Sequence, residues 1–273
     1  MVGKFHFREP PPAPAGEMPF LDHLEELRWR IIWSLLALVV ASGFGFWLVM
    51  RFAVLDILIA PARPYIGDRL HYLSLTDPFM ITLKLGILVG FLLAFPILTY
   101  QVWAFVSPAL HKREKRAIVP ALYMGLVLFA AGVALAYFYV LPATARFLTG
   151  FQTGSLTPML VVDRYVSIVT RMLVSFGVVF ELPVVVLVLS ALGLVTSQFL
   201  RRQRRYAIAG MTVAAALLTP GDTITVTVFM MAPLILLYEM SIGLARLMER
   251  GRERARAADQ LADESADELA EVP

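Results

Sequence analysis

Four carboxylates stand out by their settings. Glu181 lies near the middle of an apolar run from Met172 to Leu194. A carboxylate there is costly and must be protonated, paired or facing water. Pro183 frees the carbonyl of Val179 from the helix ladder, and a protonated Glu181 can donate to it. Glu181 is then either a hydrogen-bonded acid stabilising a kink or an intramembrane group that meets a partner or a proton. Glu26 sits in Phe20-Leu-Asp-His-Leu-Glu-Glu-Leu-Arg-Trp-Arg30, and Glu114 in the basic run His111-Lys-Arg-Glu-Lys-Arg116. Each can simply neutralise neighbours, Arg30 for Glu26 and Arg113 or Lys115 for Glu114. Each can equally accept a cationic ligand, since guanidinium–carboxylate hydrogen bonds are strong and bidentate. Asp222 follows Pro220-Gly221 and is a helix N-cap candidate, with Thr223 and Thr225 behind it.

Other chemistries are missing from the sequence. There is no HExxH, GxSxG or Walker loop, and no nucleophile–base pair is visible. An enzyme, and an ATPase in particular, is not expected. The chain has no cysteine, and His6, His23, His71 and His111 lack metal-ligand spacing, so neither metal nor cofactor is expected. A net charge of +3 gives no reason to expect nucleic acid.

The elements that must position these acids are membrane helices. Of the 273 residues 59% are hydrophobic and 16% charged, and mean hydropathy is +0.72; soluble domains carry about 25% charged residues. We expect an all-α membrane protein of six transmembrane helices, at about 31–50, 79–104, 118–141, 163–191, 207–219 and 223–244. The fifth is short, since thirteen helical residues rise only about 20 Å. Residues 51–77 read as an external loop with one short helix near 52–60, and residues 142–162 as a second external loop. Before the first span, Phe20, Leu24, Leu27 and Ile31 recur on one helical face, and His23, Glu26 and Arg30 on another. Residues 1–18, with Pro10 to Pro14, read as a disordered tail with no apolar signal core. Residues 19–245 form the membrane domain, and 246–273 a charged tail, helical at first and then fraying.

Charge asymmetry sets the orientation. Seventeen Lys/Arg lie before span one, in 105–117, in 196–206 and from Arg246 to Arg256, against four (Arg51, Arg63, Arg69, Arg146) on the other side. Both termini are therefore expected in the cytoplasm. Lys84, Arg164 and Arg171 lie near span ends without an assigned role. The two halves of the chain share no motif, which counts against an inverted-repeat carrier.

Several words in the chain occur together in one family. They are His23-Leu-Glu-Glu-Leu-Arg28, Tyr100-Gln-Val-Trp-Ala-Phe105 with Pro108-Ala-Leu110 and Glu114, Phe176-Gly177 with Phe180-Glu-Leu-Pro183, and Leu218-Thr-Pro-Gly-Asp222. In this order they resemble TatC, the multi-spanning core of the twin-arginine protein translocase, over roughly residues 20–245. The resemblance implies a concave, glove-like bundle in the bacterial plasma (inner) membrane, with short fifth and sixth spans. It implies that Glu26 and Glu114 receive the Arg-Arg pair of a signal peptide, with Arg28, Gln101 and Phe105 lining the same surface. It further implies that Glu181 engages small single-span partners of the TatA/TatB type and that Asp222 marks a periplasmic turn. The partners implied are twin-arginine precursor proteins, those small subunits, lipid and further copies of the chain, driven by the proton motive force. Glu25 is an extra acid where the family is not strict, and the resemblance weakens after Arg246. The competing reading is a proton-coupled secondary transporter using Glu181; the missing repeat and missing second midplane acid argue against it.

Overall fold

The periodicity beginning at Phe20 continues without a break into α1 (Phe20–Arg51), a single 32-residue helix. The amphipathic lead-in and the first span are one rigid rod. In the computed structural model, which describes residues 20–67, 70–109, 118–150, 159–218 and 224–270, α1 packs along α4 (Asp77–Val106). Small residues permit the approach. Gly86 and Gly90 stand one turn apart on α4, and a Cβ on Gly86 would lie 2.9 Å from the Phe46 Cα, while one on Gly90 would meet the Ser42 backbone. In hydrocarbon no hydrophobic force drives helices together, so close backbone packing at small residues replaces it. The rest of α1 stays open: Val39 and Val40 are 67% and 64% exposed, and Trp29, Trp33 and Trp47 lie outward. Such a surface suits lipid.

A second interlock joins α5 (Ile118–Leu135) to α7 (Val162–Val179) and α8 (Leu182–Ala191). The Phe129 ring sits over Gly177, and the Phe180 side chain over Gly132. Phe129 also stacks on Phe95 of α4, with ring centroids 3.4 Å apart. Beyond α5 the helix passes through a π segment, Ala136–Val140, into α6 (Leu141–Gly150).

At the other end of these helices lies a cap built from α2 (Val54–Ile59) and α3 (Arg63–Ile66). Two tyrosine hydroxyls hold it: Tyr137 donates to the Ile57 carbonyl (2.5 Å) and Tyr165 to that of Leu58 (2.9 Å). A parallel bridge between His71 and Val161 closes it. Lys84, without an assigned role in the sequence, joins α4 to α7 through Asp163 (2.6 Å) and the Ser167 hydroxyl (3.1 Å).

The last helices differ from expectation in length. α9 (Ser197–Arg202) leads to α10 (Arg204–Leu218), whose 15 residues rise about 22 Å, short of the ~30 Å hydrocarbon core. α11 (Ile224–Ala270) runs 47 residues, about 70 Å, where fraying was expected. Anchors along it explain part of this persistence: Glu239 pairs with Arg204 (2.6 Å), Tyr238 donates to the Leu200 carbonyl (2.6 Å), and Glu249 accepts from the Ser197 N–H (2.7 Å) and hydroxyl. Among the described residues, five segments are long and apolar enough to cross a membrane: His23–Arg51, Asp77–Val106, Pro120–Gly150, Val162–Ala191 and Met231–Gly251. α10 is shorter than any of them. The 1–18 tail, Glu114 and Asp222 lie outside the described residues.

Candidate functional site

Two constellations gather the candidate residues. The first forms where the start of α1 meets the end of α4. Residues 23, 26 and 30 share one face of α1, and 101 and 105 share one face of α4, each by the three- and four-residue spacing of a helix. The Arg30 guanidinium grips one oxygen of Glu26: Nε donates to Oε1 at 3.0 Å and Nη2 donates to the same atom. Its Nη1 also reaches the Gln101 Oε1 at 3.4 Å, tying the two helices. The His23 ring stacks on Phe105, centroids 4.3 Å apart and planes within 15°.

This leaves Glu26 Oε2 in an unusual state. It is buried and has no hydrogen-bond partner among the described residues. The His23 Nδ1 stands 3.7 Å from it, beyond hydrogen-bond reach. A buried carboxylate oxygen without a donor is costly, so Oε2 is the oxygen of Glu26 that keeps its accepting capacity among the described residues. A side chain supplying one N–H to Oε2 would satisfy it while Arg30 keeps Oε1.

The structure thus brings together Glu26, Gln101 and Phe105 through Arg30 and His23. Arg28, two residues from Glu26, is turned away and exposed, as is Glu25. Two members of the cluster carried no role in the sequence reading. Arg30 was read only as an i,i+4 partner, whereas it also crosses to α4, and His23 was given no partner. The matching 23/26/30 and 101/105 spacings are the signal that could have found them.

The second constellation surrounds Glu181. The α7–α8 helix breaks at Phe180–Glu181, two residues before Pro183. The turn swings the carboxylate toward α5, not along its own helix to the Val179 carbonyl. There it rests on Gly125, where an added Cβ would stand 2.9 Å from Oε2 and 3.3 Å from Oε1. Oε1 is buried without a hydrogen-bond partner among the described residues. Glycines 125 and 132 and Phe129 form one stripe of α5, so the seat of Glu181 belongs to the same interlock that holds α7. Near it, a cavity of about 290 Å3 opens between α4 and α5, lined by Pro96, Thr99, Tyr100, Leu122, Tyr123 and Leu126. Among the described residues no cluster of three metal-ligating side chains occurs.

Comparison with known proteins places this architecture. Residues 22–233 match the model of the family described as Sec-independent protein translocase protein (TatC). A Sec-independent protein translocase protein TatC of Aquifex aeolicus is 41% identical over 236 residues, covering 85% of this chain and 97% of that protein. Its counterpart in Carboxydothermus hydrogenoformans is 38% identical over 232 residues, covering 85% and 94%. Two crystal structures of a twin-arginine translocase receptor, TatC, superpose with TM-scores of 0.72 and 0.73 at 40% identity. They cover 83% and 82% of this chain and 99% of theirs. Family model, sequence relatives and fold agree: the chain belongs to the TatC family of Sec-independent protein translocase proteins.

Proposed function

We propose that this chain is the receptor and core subunit of a twin-arginine translocase in a bacterial plasma membrane. It binds the paired arginines of a signal peptide at the α1–α4 site and recruits single-span subunits through Glu181. Folded cargo is exported at the expense of the proton motive force. The observation that carries this reading is the buried Oε2 of Glu26, without a hydrogen-bond partner among the described residues and flanked by Arg30, Gln101 and the His23–Phe105 stack. One arginine of the ligand donates to this oxygen. Glu114, five residues past the 3-10 turn Ser107–Ala109 that follows α4, serves the second.

The arrangement in the membrane follows the charge count. Six spans, with α10 the short fifth, put both termini and the 105–117 and 196–206 loops in the cytoplasm and the α2–α3 cap outside. The α1–α4 site then faces the cytoplasm, where precursors arrive. The short α10 thins the bilayer on one side of a concave bundle. Residues 1–18 and the end of α11 are cytoplasmic appendages of the 19–245 membrane domain.

The test is retention of a precursor by the purified, full-length protein. A precursor with its two arginines should be held and one with two lysines released, because a guanidinium is more weakly hydrated than an ammonium and gives up its water more readily to reach a buried oxygen. Equal retention of both precursors would overturn the receptor reading.

A further inference from the structure

A second cavity lies at the opposite end of the bundle, between α6, α7 and α3. Its volume is about 220 Å3, room for roughly seven groups the size of a water or methylene at ~30 Å3 each. Ile66, Leu141, Leu148, Ile168 and Val169 make it apolar. Val161 to Val169 line it along about 12 Å of α7, so it is an elongated slot.

Of the polar residues lining it, the Thr149 and Tyr165 hydroxyls donate to the Ala145 and Leu58 carbonyls, which leaves two. Arg164 is the one charged residue lining the cavity among the described residues; it is exposed and has no ion-pair partner among them. The neighbouring acid, Asp163, is already taken by Lys84 at 2.6 Å. Among the described residues the guanidinium charge at the rim is therefore uncompensated. Thr144 also lines the slot; it is 3% exposed, and its hydroxyl has no hydrogen-bond partner among the described residues. A buried hydroxyl left unpaired is costly.

We infer that this slot binds one acyl chain of an anionic phospholipid, with the lipid phosphate on Arg164 and an ester oxygen within reach of the Thr144 hydroxyl. The slot takes the chain because its wall is apolar and a few methylenes long. The rim takes the phosphate because a free guanidinium matches two phosphate oxygens. A neutral or zwitterionic lipid satisfies the slot but wastes the charge. In the orientation proposed above the lipid comes from the outer leaflet, where it would wedge the α2–α3 cap against α6 and α7.

The experiment is native mass spectrometry of the full-length protein in neutral detergent, titrated with phosphatidylglycerol and, separately, with phosphatidylcholine of the same chains. It needs no assumption about membrane orientation or signal-peptide binding, so its failure leaves the receptor reading standing, and the reverse also holds. Wild type should show one phosphatidylglycerol site tighter than any for phosphatidylcholine. Arg164→Gln should weaken that site about tenfold, while Arg146→Gln, an exposed arginine of α6 away from the slot, should not. Ala145→Leu, which fills the slot from α6, should weaken both lipids. Thermal unfolding in detergent checks that each variant is folded. Equal affinity in Arg164→Gln and Arg146→Gln, full binding by a folded Ala145→Leu, or displacement of the lipid by an equal concentration of inorganic phosphate would each overturn the proposal.

Discussion

The carboxylate of Glu181 rests where a side chain of residue 125 would be: a Cβ on Gly125 would stand 2.9 Å from Oε2. The acid therefore has a seat on α5 that only glycine leaves open. Seven residues along the same stripe, Gly132 faces something different, the Phe176 carbonyl at 2.7 Å and the Phe180 side chain at 2.8 Å. The two glycines look alike in the sequence, yet one borders a movable carboxylate and the other a fixed backbone.

This contrast gives the first prediction. Gly125→Ala pushes on the far end of a flexible side chain, which can rotate away. It should lower thermal stability little while displacing Glu181, and so impair association with single-span partners. Gly132→Ala pushes on backbone and should destabilise the bundle by roughly 1–3 kcal/mol, the usual cost of overpacking. Thermal unfolding and partner co-purification separate the two effects. A Gly125→Ala protein that unfolds early but binds partners normally would contradict the assignment.

Glu181 itself is the second test. If it acts as a hydrogen-bonding group toward a partner helix, Glu181→Gln keeps the hydrogen-bonding capacity and should co-purify with the single-span partners. Glu181→Ala should lose them, with the bundle still folded. A Gln variant as defective as Ala would mean that the ionisable proton is needed, which is the behaviour of a proton-coupled carrier.

Much of this was legible beforehand because membrane helices announce themselves. Long apolar runs located α1, α4, α5 and α7–α8, and Pro183 correctly marked a break beside Glu181. What the sequence could not supply was direction across space. The expected bond from Glu181 back to Val179 is a local guess, whereas the observed contact with Gly125 depends on how α5 lies against α7. Lys84 carried no role because its partner, Asp163, is far along the chain. The persistence of α11 just past Arg246 has a related reason: Glu249 finds Ser197 on α9, and a tertiary contact there outweighs local propensity.

Topology gives the third prediction. The chain is free of cysteine, so single reporters are clean. Met159→Cys, exposed just before α7, should react with an impermeant maleimide added outside the cell. Gln260→Cys on the far part of α11 should react only after the membrane is opened. Reaction of both from outside would end the six-span arrangement with both termini in the cytoplasm.

The last prediction separates a structural ion pair from a ligand site at Glu26. As a partly exposed i,i+4 pair, Glu26–Arg30 should contribute only about 0.3–0.5 kcal/mol to stability. Glu26→Ala should therefore fold and insert normally. If Oε2 is the acceptor for a signal-peptide arginine, the same variant should lose precursor affinity by roughly tenfold or more, since a charge-assisted hydrogen bond is worth about 1.5–3 kcal/mol. Arg30→Ala is the informative companion. It frees Oε1 as well as Oε2, so the carboxylate becomes open to a bidentate guanidinium, but it also removes the tether to Gln101 that fixes α1 on α4. If acceptor chemistry governs, Arg30→Ala should retain or tighten precursor binding, and adding Arg30→Ala to Glu26→Ala should not restore it. If the pair merely holds the helices, Glu26→Ala and Arg30→Ala should be equally defective. Gln101→Ala should then be as defective as either, because the same tether is cut. Isothermal titration of a twin-arginine peptide into each purified variant reads the difference directly. Parallel losses in all three single variants would reduce Glu26 to a structural residue and move the arginine site elsewhere on the cytoplasmic face.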